Sequence, residues 1–269
     1  MQGARQQKFT DSIRKILLLT LVTTILATRL FSQEITKEEI VKYKIKSITI
    51  SNSDERTKSI EYFNDQGDIV KIGDQTDGDI LVRKEFVYEN NRFLMQEKSY
   101  TTEGKILGTV NYQYNSNNQL IKKESLDAEN KVNIAWIYEY NDVGNKIKET
   151  QKSGAMSNIV TTFKYDEQLL VGEMTTNDII GVEEEVTYKY NSKRQLVKAK
   201  TKHFYFTGTT TLRYNYNAAG KLIQLSERSS NGVSSTTTYQ YDDKGLLTAN
   251  VWRTSLGKDS NRTTFLADF

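Results

Sequence analysis

The sequence predicts an all-β fold: about eight β-hairpin repeats of roughly 25 residues, joined into a long, curled antiparallel sheet and preceded by an N-terminal signal helix. Three observations predict it. One phrase recurs in phase: an aromatic, Asn or Asp, a turn, and an aliphatic six residues after the aromatic. It is anchored at Phe63, Tyr88, Tyr114, Tyr140, Tyr165, Tyr190, Tyr216 and Tyr241, at intervals of 25, 26, 26, 25, 25, 26 and 25 residues. Such phasing marks one supersecondary unit stacked on its copies, because no copy buries its apolar face alone. The residues before each anchor alternate with a period of two, as strands do. Finally, the 269 residues include no proline, so every backbone N–H stays available to a sheet ladder.

The elements follow in chain order. Residues 1–32 read as an export signal, with a basic segment (Arg5, Lys8, Arg14, Lys15) before an apolar run, Ile16 to Ala27, that is short for a membrane span. Cleavage after Ser32 would start the exported chain at Gln33. Cleavage after Ala27, or retention as an anchor, are the alternatives. Residues 33–269 are then one hairpin array with a repeat core at about 60–250.

Within a unit, Val132 to Tyr140 sets Ile134, Trp136, Tyr138 and Tyr140 on one face and Asn133, Ala135, Ile137 and Glu139 on the other. The Y-x-Y ending recurs, usually with a polar middle residue (Gln113, Glu139, Lys164, Lys189, Asn215, Gln240). A tight turn follows, as in Asn64-Asp-Gln-Gly67 and Asp242-Asp-Lys-Gly245. There the Asx side chain bonds the backbone ahead and Gly takes positive φ. Three copies place Arg92, Leu169 or Arg194 at the Gly position. The return strand opens on Ile69, Leu94, Leu120, Val171, Leu196, Leu222 or Leu247, while the fourth copy carries Lys146 and is expected to shift its aliphatic to Ile147. With a leading strand near 43–50 and a closing one near 263–269, about eighteen strands are expected and no helix beyond the leader.

The pattern Y-x-Y-[N/D]-x-x-G-x-[L/I] resembles the YD repeat of the RHS/YD-repeat proteins over about residues 60–250. The resemblance implies hairpins joined into long, curling sheets. This chain departs from the family at the residue after the glycine, commonly Arg there and Asp68, Asn145, Lys221 or Leu246 here. Large members form a shell around a C-terminal toxin. The array leaves no cargo domain in this chain, so such a shell is not expected.

Composition narrows the chemistry. Cysteine is absent, which excludes disulfides, thiolate metal sites and thiol catalysis. Of 37 Lys+Arg and 34 Asp+Glu, five bases and Asp11 fall in residues 1–32, so the remainder carries 32 bases and 33 acids, a formal charge of −1. No nucleic-acid footprint remains. His203 is the sole histidine, too few for a triad or a multi-histidine metal site, and reads as a solvated side chain. Asp74, Asp77 and Asp79 form an acidic turn without EF-hand spacing, which reads as a solvated hairpin tip. The Y-x-Y aromatics, with Trp136, read as core. An outer-membrane barrel is disfavoured because Leu196 to Lys202 and Ile147 to Lys152 keep no apolar face.

The expectation is therefore an exported, non-catalytic binding or structural module of the periplasm or cell surface. It would need no cofactor or metal and no membrane span after cleavage, and would meet a protein or glycan partner, with homodimerisation possible. Trp252, Tyr62 and Tyr205 are the candidate exposed binding aromatics. Carbohydrate binding through such aromatics is the second reading and a hydrolase the third.

Overall fold

Each anchor aromatic sits at a β-bulge, and the architecture follows from eight copies of that device. The computed structural model describes residues 35–53, 56–90, 92–154, 157–205, 208–255 and 260–268. The predicted export signal and both cleavage points lie outside the described residues. Among the described residues a single helix, α1 (Lys37–Tyr43), precedes eighteen strands. The first nine are β1 (Ser47–Asn52), β2 (Lys58–Phe63), β3 (Ile69–Thr76), β4 (Asp79–Glu89), β5 (Phe93–Tyr100), β6 (Ile106–Tyr114), β7 (Leu120–Asp127), β8 (Val132–Tyr140) and β9 (Lys146–Lys152). The second nine are β10 (Ile159–Asp166), β11 (Leu169–Asn177), β12 (Gly181–Tyr190), β13 (Leu196–His203), β14 (Gly208–Tyr216), β15 (Leu222–Ser229), β16 (Ser234–Tyr241), β17 (Leu247–Thr254) and β18 (Ser260–Asp268).

Every strand pairs antiparallel with the next, and β1 pairs with β18 from Ser47↔Asp268 to Asn52↔Thr263. The sheet is thus a closed eighteen-stranded barrel, not the open, curled sheet that the repeats predicted. Closure removes the two edges that an open sheet would leave as templates for other chains. The helix is a second correction. Residues 37–43 are too few to show a helical period, and what defines α1 is a capping box: Glu39 N–H donates to Thr36 Oγ1 at 3.2 Å and Thr36 N–H to Glu39 Oε2 at 2.9 Å.

The bulges are regular. Gln113 pairs with Lys122 but Tyr114 pairs with Leu120, leaving Ile121 as the extra residue. The same shift falls at Tyr62/Phe63, Val87/Tyr88, Glu139/Tyr140, Lys164/Tyr165, Lys189/Tyr190, Asn215/Tyr216 and Gln240/Tyr241. In the fourth copy Lys146 itself pairs with Tyr140 and Ile147 is the extra residue, so the aliphatic does not shift as expected; Lys146 replaces it. In the fifth, Leu170 rather than Val171 faces Tyr165, because the chain turns through only Glu167 and Gln168 between Asp166 and Leu169.

Turn chemistry matches the Asx reading. Asn64 Oδ1 accepts from Gln66 N–H and Asp68 N–H at 3.0 and 2.9 Å, and Asn115, Asn191 and Asp242 repeat this. Arg194 takes the glycine's left-handed geometry at φ 61°, whereas the second and fifth copies use Asn90 and Glu167 instead. Gly67 answers two demands: φ is 77°, and a Cβ there would lie 3.0 Å from the Lys37 carbonyl and Val41 Cγ2 of α1.

Hydroxyls then tie the units together. Tyr88, Tyr114, Tyr140, Tyr165, Tyr190, Tyr216 and Tyr241 donate to the carbonyls of Ile69, Leu94, Leu120, Lys146, Leu170, Leu196 and Leu222 at 2.6–3.0 Å. Each acceptor is the residue facing the previous anchor. Phe63 has no hydroxyl and sits instead in a buried cluster with Ile40, Ile45, Ile48 and Leu246. Around that cluster α1 bridges three hairpins through Lys37–Asp68, Glu39–Lys221 and the Tyr43 hydroxyl on the Lys244 carbonyl. Buried hydrophobics also run along the later strands, from Tyr188, Leu196 and Leu212 to Tyr239 and Leu247.

Tyr190→Phe removes one hydroxyl tie and leaves the Leu170 carbonyl without it. It should cost about 1 kcal/mol and lower Tm by about 2–4 °C in thermal melts, while Tyr62→Phe, off this ladder, should leave Tm unchanged. Deleting residues 260–268 uncovers β1 and β17 and should convert a monodisperse protein into an associating one by light scattering.

Candidate functional site

Eighteen strands enclose more space than side chains can fill, so the inner wall is where the sequence presents chemistry. The two walls differ most clearly over the later strands. From β10 to β14 the inward residues Phe163, Tyr165, Val186, Tyr188, Leu212 and Tyr214 are half-buried or buried, whereas the outward Lys164, Glu185, Lys189 and Arg213 are exposed.

The inner wall across β6–β9 carries a lateral row, Tyr112↔Lys123↔Trp136↔Gln151. Lys123 Nζ stands 4.7 Å from the Trp136 ring centroid and 5.9 Å from that of Tyr112. Trp136 Nε1 donates to Gln151 Oε1 at 3.2 Å. One step along, Lys146 lies 4.3 Å over Phe163 and 5.4 Å from Tyr138, and bonds Glu149 at 2.8 Å. Cations thus sit between aromatic faces and anchor them. A groove of about 610 Å³ opens beside this wall, lined by Gln119, Ile121, Tyr138, Tyr140, Asn141 and Gly144 among others.

Inward carboxylates each have a partner. Glu97 bonds Lys84 at 2.5 Å and accepts from Tyr112 at 3.3 Å. Glu173 accepts from the Tyr188 hydroxyl at 2.8 Å, Glu184 meets His203 Nδ1 at 2.8 Å, and Glu227 accepts from Ser235 at 3.2 Å. His203 is therefore half-buried and paired, not the solvated side chain expected: its strand position puts it on the inner wall opposite Glu184.

Burial, reinforced by nearby carboxylates, pushes the Tyr112 and Tyr138 phenols well up, and burial with the Asp68 charge takes Tyr88 to about 12. These phenols are hydrogen-bond donors at any physiological pH. Burial also raises Glu173, against the opposing pull of Tyr188 and Lys146. The wall offers ring faces, donors and acceptors for holding a ligand. Among the described residues no three His, Asp or Glu side chains converge as metal ligands.

The predicted site residues are not brought together. Trp252 is 41% exposed on the inner wall, opposite Thr237 and Asn261. Tyr62 faces outward near the Asx-turn end, with Lys71 Nζ 4.4 Å from its ring centroid. Tyr205, 66% exposed, lies in the connection after β13, at the opposite end and three strands from β17. Trp136, read as core, is only half-buried and belongs to the inner-wall row with Tyr112, Lys123 and Gln151. The sequence signal for this wall was Lys146, one step from that row and a cation in a position otherwise aliphatic.

No family model and no curated protein matches this chain. Among solved structures it is similar to a porin-like protein from Bacteroides uniformis (13% identity, 83% of this chain and 96% of that chain, TM-score 0.49). It is also similar to a porin-like protein from Bacteroides vulgatus (11%, 83% and 98%, TM-score 0.41). A TcdB2-TccC3 structure without its hypervariable C-terminal region matches at 12% identity over 77% of this chain and 14% of that chain, TM-score 0.37.

The Glu173 shift sets a sign. A carboxyl raised in the folded state binds more protons folded than unfolded, so it costs stability as pH rises from the unfolded carboxylate range through the folded value. Glu173→Gln keeps an acceptor for Tyr188 and should raise Tm at pH 7, with the gain shrinking to nothing in melts below about pH 4, where the carboxyl is neutral in both states.

Proposed function

We propose that this chain is an exported, non-catalytic barrel that holds a ligand against its inner wall. The observation that carries this reading is the half-buried aromatic cluster Tyr112–Trp136–Tyr138 with Lys123 and Lys146 fixed between the rings. Rings already braced by cations and amides lose little freedom when a ligand stacks on them, so binding there is preorganised. Partnered carboxylates favour recognition over acid–base work, which needs one proton donor and one acceptor poised at the reacting atom.

Export rests on the basic and apolar segments of residues 1–32. The outer wall supports a setting in water. Lys164, Lys189, Lys200 and Arg213 point outward and exposed, and a Lys or Arg on the lipid face of a membrane barrel costs about 2–4 kcal/mol at the bilayer midplane. The aromatic row favours carbohydrate as the ligand, since sugar C–H faces stack on rings while hydroxyls bond Gln151 and the carboxylates.

The two tryptophans both lie on the inner wall, which makes the test direct. Titrating soluble glycans into the full chain should shift tryptophan emission saturably, and Trp136→Ala should weaken binding by roughly tenfold or more, the loss of about 1.4 kcal/mol or more of stacking. Saturable binding with unchanged emission would remove the inner wall from the reading. Turnover of a glycoside or ester that disappears with one carboxylate change would replace it with an enzyme.

A further inference from the structure

The outer wall carries a second feature. Across β12, β13 and β14, Lys189 pairs directly with Lys198, and Lys198 with Arg213. Like charges directly opposite on one face of a sheet destabilise it, and none of the three has an ion pair among the described residues. One step along, Lys200 faces Thr211, which faces Arg228; a further step sets Lys202 beside Thr209. Glu185, opposite Lys202, is the nearest outward acid on these strands. Between the two arginines lies a shallow groove of about 190 Å³ lined by Thr209, Thr211, Arg213, Arg228, Ser229 and Ser230.

We infer that the outer wall of β12–β15 binds an anionic polysaccharide, with Arg213 and Arg228 taking its carboxylate or sulfate groups in the hydroxyl-lined groove and Lys189, Lys198 and Lys200 following the chain across the strands. Guanidinium forks suit planar, bidentate oxyanions, and neighbouring strands space the cations about 4.8 Å apart. A bound polyanion relieves the repulsion that the bare row stores. Nucleic acid fits less well. The outward positions of these four strands hold no aromatic, the nearest exposed rings being Phe204 and Tyr205 past the end of β13, and single strands are held largely by base stacking on aromatic rings.

The surface is separate from the inner wall, so the two readings fail independently. Full-length protein should bind dextran sulfate or polygalacturonate but not neutral dextran, and affinity should fall as salt rises. Comparing the two polymers decides between sulfate and carboxylate. The double variant Arg213→Gln, Arg228→Gln should lose roughly tenfold or more in affinity and flatten the salt dependence. It should leave the tryptophan-reported ligand of the inner wall untouched, and Trp136→Ala should leave polyanion binding untouched. Lys198→Gln should raise Tm in the absence of polymer, a readout that needs no ligand. Equal or tighter binding of oligo-dT at matched charge, binding indifferent to the double variant, or no binding to either polymer at low salt would each overturn the inference.

Discussion

Seven tyrosine hydroxyls, each donated to the carbonyl that faces the previous anchor, are the constraint on which this barrel depends. A bulge lifts one residue out of the ladder and turns the strand. Repeating it once per hairpin at the same height builds curvature in equal increments. The phenol then spans two hairpins and commits each increment to its neighbour. Where the series begins, Phe63 lacks the hydroxyl, and the seam is held by the β1–β18 ladder and by α1.

Helix α1 shows how a seven-residue element can matter in a barrel of strands. Its Ile40 enters the cluster with Phe63 and Leu246, and Glu39 and Lys37 reach Lys221 and Asp68 on different hairpins. Desolvation alone would raise the Glu39 carboxyl. The Lys221 ammonium and the Thr36 cap outweigh it, so the carboxyl is held below its ordinary range and its contribution is present at neutral pH and lost on acidification through that lowered value.

The two walls divide the chemistry. Inward positions mix aromatic rings with partnered carboxylates, which suits a ligand that stacks and hydrogen-bonds. Outward positions mix charged side chains with exposed aliphatics such as Val87 and Met174, and cations crowd over β12–β15. The alternation of a strand is what lets one 25-residue phrase serve both walls at once.

Much of this was legible in the residues. The hairpin spacing, the Asx turns, the strand count and the anchor aromatics all rest on local rules: period two, side-chain bonding within a turn, and the absence of proline. Lys146 stood out as a cation in an aliphatic position, though its setting between Phe163 and Tyr138 did not. Closure, the partners of His203 and the exposure of Trp136 were decided only in the tertiary structure. They depend on pairs such as Ser47 with Asp268 and Glu184 with His203. Local propensity is the same in an open and a closed sheet; only curvature summed over the whole sheet, at the eight anchor bulges and beyond them, brings the first strand to the last.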